Sequence, residues 1–164
     1  MKKVYQRITN SPSHGDCMQA AFASLFEDKY ENVPAFIEIE NMAQAFDDYI
    51  ESKGYILEKV LHNNTWEILY DPTYECTHNI DYNPKEDINP SDLSEGVNGY
   101  FYCIVLSPGH FFWDRMETHA VICDRNLNIV HDPNKEYKDI KQYPLTSILG
   151  CNGIIAIYDI RKKD

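Results

Sequence analysis

Basic side chains are scarce in this sequence: 15 lysines and arginines stand against 26 aspartates and glutamates, giving a formal charge of -11. That balance offers no electrostatic grip on nucleic-acid phosphates or anionic lipid, so neither nucleic acid nor membrane is an expected partner. No stretch approaches the roughly 18 apolar residues of a membrane span, and Met1 to Asn10 has no apolar leader core. Phosphate-cradling glycine loops of the form G-x-x-x-x-G-K or G-x-G-x-x-G are absent, and no cofactor is expected. The five cysteines, Cys17, Cys76, Cys103, Cys123 and Cys151, are odd in number and contain no C-x-x-C pair. This usage suits a reduced, cytoplasmic setting rather than a disulfide framework. The nearest metal-ligand pairing, Cys76-Thr77-His78 with Cys103 and His110 farther on, matches no zinc spacing, so no metal is expected.

What remains is 164 residues, the size of one domain, with no repeat and no low-complexity tract over 1–164. Met1 to Ser13 reads as an extended lead-in with Val4 and Ile8 as anchors and Gln6 as its polar candidate; Pro12 keeps Ser11 out of the helical region. Asp16 and Gln19 then have the spacing of a capping box, which starts a helix at Cys17. Met18, Phe22, Leu25 and Phe26, with Ala20, Ala21 and Ala23, make this helix apolar nearly all round, so it should be central. A second helix is expected over Asn41 to Lys53, with Met42, Ala45, Phe46, Tyr49 and Ile50 on one face, Gln44, Asp47, Asp48 and Glu51 on the other, and Gly54 as the stop. Asp71 to Glu95 reads as long acidic loops. Strands are expected at Tyr55–Leu61, at Tyr100–Leu106 ended by Ser107-Pro108-Gly109, and at His119–Cys123, Leu127–His131 and Gly153–Ile160. Helices first and sheet second imply an α+β domain.

The helix start gives Cys17 a chemical reading. Unpaired N–H groups and the positive end of the helix dipole favour a thiolate there, and the thiolate is the reactive form. A small buried cysteine is the alternative. A two-residue turn at Arg125-Asn126 would oppose Asp124 to Leu127, Ala120 to His131 and His119 to Asp132. Directly opposed side chains come within about 4.5–5.5 Å at Cβ, so Asp132 would orient His119, while His131 would lie on the other face. A one-residue slip would reverse that assignment, and Arg-Asn is not a turn that fixes register. Taken singly, His119 also reads as a strand-end histidine and Asp132 as a turn residue before Pro133. Gly109 to Arg115 either lines a cleft with its aromatic residues or packs as a plain loop.

Three segments resemble papain-like cysteine peptidases, especially the bacteriocin-processing branch and small bacterial or bacteriophage relatives: Gly15-Asp16-Cys17-Met18-Gln19-Ala20, Thr118-His119-Ala120-Val121-Ile122 and Val130-His131-Asp132-Pro133. The resemblance implies a papain-like fold in which the central helix carrying Cys17 packs on an antiparallel sheet. It implies that Cys17 is the nucleophile, His119 the general base and acid, Asp132 the orienting residue, and Gln6 the oxyanion-hole side chain beside the Cys17 N–H. Met18 stands where the processing peptidases usually carry glycine, and Gln6 lies farther before Cys17 than is usual there. Ser11, Ser13 or backbone groups alone are alternatives for the Gln6 place.

The expected activity is therefore that of a thiol hydrolase, a peptidase or amidase acting through an acyl-enzyme on a peptide, a protein or a small amide. A papain-like module that binds a ligand or partner protein without chemistry, and an acyltransferase of the transglutaminase kind, are the alternatives.

Overall fold

Along the chain run α1 (Cys17–Leu25), α2 (Met42–Ser52), β1 (Tyr55–His62), β2 (Tyr100–Phe112), β3 (Arg115–Asp124), β4 (Ile129–His131) and β5 (Ile154–Lys162). They come from a computed structural model that describes residues 1–8, 16–62, 88–112, 115–135 and 154–164, without the side chains of 62, 106–112, 115–118 and 155. The five strands form one sheet in the order β1-β5-β2-β3-β4, every neighbouring pair antiparallel, so the architecture is α+β. Among the described residues no helix is long and apolar enough to cross a membrane.

The composition of α1 explains its place. Every residue from Gln19 to Leu25 is buried, and the helix lies against β3 and β2. Alanines at 20, 21 and 23 let it approach closely, while Phe22 stacks on Tyr102 of β2 at 4.7 Å and meets Phe46 and Tyr49 of α2 edge-on. Each such aromatic pair adds about 0.5–1.5 kcal/mol beyond its buried area. Helix α2 has Asn41 as its N-cap, with the Gln44 N–H donating to Asn41 Oδ1 at 3.2 Å. It buries Phe46, Tyr49 and Ile50, whereas Met42, expected on that face, is 46 % exposed. Gly54 follows with φ +83°, the left-handed conformation that ends a helix at little cost for glycine.

A second apolar cluster covers the opposite face of the sheet. Phe101, Cys103, Val105, Val121, Cys123 and Ile157 meet Ile88 and Leu93, which flank a short 3₁₀ turn at Pro90–Asp92. Of the expected acidic loops only 88–95 fall among the described residues; Cys76 and His78 lie outside them, as do Cys151 and the His110 side chain.

Several strand boundaries differ from expectation. Ser107-Pro108-Gly109 does not end β2, which continues to Phe112; instead the pairing with β3 shifts between Leu106 and Phe111. Proline removes a ladder donor, and a bulge accommodates it without ending the strand. Strand β3 starts earlier, at Arg115, so Arg115 belongs to a strand rather than to a loop; the expected cleft role of Gly109 to Arg115 falls on side chains outside the described set. The β3–β4 turn is also longer than expected. Asp124 pairs with Asn128, because Leu127 takes φ +65° and adds a third residue to the loop. A further irregularity then sets Ile122, not Ala120, opposite His131.

Candidate active site

Cys17 opens α1, as the sequence suggested, but the capping differs. Asp16 is the N-cap by position, and its carboxylate makes no bond to the helix. Its oxygens accept the backbone N–H groups of Arg7 at 2.9 Å and Ile8 at 3.1 Å, together with the Tyr30 hydroxyl. Gln19 does not close a capping box either; its amide donates to the carbonyls of Tyr30 at 3.2 Å and Val33 at 3.0 Å. Acidic and amide groups at a helix start favour the cap only when no buried backbone donor or acceptor nearby needs them more. Both side chains serve neighbouring segments, and they hold the first turn of α1 in place from outside.

His119 and Asp132 meet although the register that suggested their pairing is not the observed one. The ladder ends at Ile122 opposite His131, and both residues lie just past that end. There Asp132 Oδ1 sits 2.6 Å from His119 Nε2 and also accepts the Asn134 N–H at 2.8 Å. Nε2 is thus held by the carboxylate, and the same imidazole acts on the Cys17 thiol beside it, with which it shares the cavity wall.

The electrostatics follow from these contacts. Burial pushes the Cys17 thiol up, but the hydrogen bond and charge of His119 and the N–H groups of Ala120 and Met18 outweigh it and leave the pKa below that of an ordinary thiol. Burial alone would push the His119 ring down; the Asp132 carboxylate and the Cys17 thiolate raise it to about 9. The two shifts support each other: the charged imidazole lowers the thiol, and the thiolate raises the ring.

Beside the pair lies a cavity of about 310 Å³, at the small end for ligand sites. Cys17, Met18 and His119 line it together with Ile104 and Tyr102 of the sheet, and with Ile37 and Met42 from the segments that follow α1. The exposed positions of Ile37 and Met42 therefore form an apolar rim to the site. Periodicity reads Met42 as core, and no sequence signal marks it as cavity wall.

Gln6 is placed less directly. Its backbone N–H donates to Pro133 O at 2.8 Å, its amide Nε2 donates to Ile8 O at 3.2 Å, and it is not part of the cavity wall. Its Oε1 is buried with no hydrogen-bond partner among the described residues. Ser11 and Ser13 lie outside the described residues. His131 is buried apart from the cavity wall, with Nε2 2.8 Å from Val4 O and its ring edge-on to Tyr5. Among the described residues no cluster of three or more metal-binding side chains occurs.

Comparison with family models, with curated proteins and with solved structures found no match.

Proposed function

We propose that this chain is a thiol hydrolase of papain-like fold, a peptidase or amidase in which Cys17, His119 and Asp132 act together. The observation that carries the reading is the His119 ring, held by Asp132 at 2.6 Å through Nε2 and set beside the Cys17 thiol at the cavity wall. The papain-like part rests on the order of a helix-initial cysteine, a strand histidine and a carboxylate after the next strand. By the same resemblance, bacteriocin-processing peptidases and small bacterial or bacteriophage proteins are its kin.

In this mechanism the Cys17 thiolate attacks the carbonyl carbon of an amide, a C–S bond forms, and the carbonyl electron pair moves onto oxygen. The oxyanion develops at the positive end of α1, where the Cys17 N–H can donate to it. Gln6 would join it by releasing the Ile8 carbonyl. Collapse of the tetrahedral adduct breaks the C–N bond as His119 gives its proton to the leaving amine. Water then attacks the thioester, His119 takes a proton from it, and the thiolate leaves with the acid released. Asp132 keeps the ring in the useful orientation throughout. A peptide, protein or small amide supplies the carbonyl, no cofactor is needed, and a reducing cytoplasm would keep the thiol available.

Brief exposure to p-nitrophenyl acetate, followed by mass spectrometry of the intact chain and its peptides, tests this. One acetyl group on Cys17, formed in a burst and lost again on standing, is the expected result. A Cys17 that acquires no acetyl group faster than a simple thiol, or that acquires it equally well in His119→Ala, rules the hydrolase reading out.

A further inference from the structure

Asp132 sits immediately after β4, an edge strand of three residues paired with β3 at two positions. So slight a ladder does not by itself explain how the carboxylate is held at 2.6 Å from His119. The Asn134 N–H holds the carboxylate within its own turn at 2.8 Å, and the lead-in segment holds that turn from outside. Two of its backbone groups bracket Asp132 in sequence: Val4 O meets His131 Nε2 at 2.8 Å, and the Gln6 N–H donates to Pro133 O at 2.8 Å. The opposite side of the same segment is fixed to α1. There Val4 N–H donates to Ser24 Oγ at 2.8 Å, and the N–H groups of Arg7 and Ile8 reach the Asp16 carboxylate, one residue before Cys17.

We infer that Val4 to Ile8 form a clasp that joins the helix carrying Cys17 to the turn carrying Asp132, with His131 as the positioning residue that sets Asp132 against His119. The inference rests on the proposed role of Asp132 as the group that orients His119. The bonds divide the work: Ser24 and Asp16 fix the clasp to the nucleophile's helix, while His131 and the Pro133 carbonyl fix it to the acid's turn. His131 is 3 % exposed, so its bond to Val4 O has little competition from water; Val4 O also accepts from Ser24 Oγ at 3.1 Å, so the helix and the turn meet on one carbonyl. The edge-on contact with Tyr5 at 5.1 Å fixes the ring plane as well. Because the clasp binds the turn on both sides of Asp132 in sequence and reaches the helix through Ser24 and through Asp16, itself part of the cavity wall, its loss should loosen the histidine-carboxylate bond before it unfolds the helix side.

The imidazole N–H proton shared by His119 and Asp132 gives a readout in ¹H NMR far downfield of the amide region. It should be recorded in a Cys17→Ala background, where it does not depend on whether Cys17 reacts. Asp132→Ala in that background marks complete loss of the signal. His131→Leu should likewise lose or strongly broaden it with the amide spectrum otherwise folded, and His131→Gln, whose Nε2 can donate to Val4 O from a similar reach, should restore it. If His131→Leu fails to fold, Ser24→Ala releases the clasp from its α1 side and should broaden the same signal. A folded His131→Leu or Ser24→Ala protein with the parent signal intact overturns the clasp. A Cys17 that cannot be acylated would sink the hydrolase reading and leave this measurement standing.

Discussion

Each face of the sheet carries cysteine, half-buried at Cys17 and buried at Cys103 and Cys123, and the two faces treat their thiols in opposite ways. On the face away from α1, Cys103 lies with its sulfur 2.9 Å from that of Cys123 and 3.4 Å from the Phe101 carbonyl. Burial and the neighbouring thiol push its pKa well above the ordinary value. On the helix side, Cys17 meets the same penalty from burial, yet ends below an ordinary thiol because His119 and two backbone N–H groups face it. Desolvation is common to both places; the cationic partner and the helix start are not. An activated cysteine therefore requires a positive partner placed against the sulfur, and burial without one silences the thiol.

Removing His119 should erase most of the contrast. An opposite charge at contact distance shifts a pKa by about 1–3 units, and each unit is tenfold in thiolate fraction. His119→Ala should accordingly slow alkylation of Cys17 by iodoacetamide at neutral pH by roughly 10- to 1000-fold, and raise the midpoint of its rate-pH curve by about 1–3 units. The sign follows from the direction of the shift: Cys17 is depressed in the folded protein, so its rate rises with pH earlier than that of a simple thiol. For amide hydrolysis the opposite limb belongs to His119, whose acid form is lost as pH climbs through about 9, so turnover should decline there. Identical rate-pH curves for the parent and His119→Ala would show that the two faces differ in exposure alone.

How far the sequence discloses this contrast depends on the range of the interactions. The apolar composition of α1 and the stop of α2 before Gly54 are legible because side-chain spacing and glycine conformation are local properties; α1 begins at Cys17 as expected, although the capping box that suggested it does not form. Strand alternation predicts the meeting of His119 with Asp132 through a hairpin register that Leu127, at φ +65°, and the irregularity before His131 do not permit. The contact forms where β4 has ended, one residue past His131, a feature that alternation does not encode. Asp16 reads as a helix cap because the partners its carboxylate binds, on the lead-in segment and at Tyr30, are eight or more residues away. His131 bonds a carbonyl 127 positions earlier in the chain, and no periodic pattern carries that information.

Stability changes on the far face should leave Cys17 chemistry untouched, which sharpens the comparison from its other side. Gly96 has φ +66°, and a Cβ there would meet the Tyr100 carbonyl at 2.6 Å and the Phe101 ring at 2.8 Å. Backbone strain and overpacking together predict a loss of roughly 2–4 kcal/mol for Gly96→Ala, read as a lower denaturation midpoint. At temperatures where the variant remains folded, its Cys17 alkylation rate should equal the parent's. Should the rate fall in step with stability, the two faces are mechanically coupled through β2.

The smallest effect belongs to Cys103→Ala. Loss of one buried sulfur leaves a void near the size of a methyl group, worth about 1 kcal/mol when the surroundings do not collapse. Chemical denaturation should show that modest loss, while Cys17 alkylation keeps its rate and its pH midpoint, since Cys103 belongs to the apolar cluster on the other face. The same variant also frees Cys123 from its sulfur neighbour. If Cys123 then reacted as fast as Cys17, proximity of a second thiol would be what silences the far face. The expected result is that it stays inert, because Cys123 is fully buried and closed to the reagent.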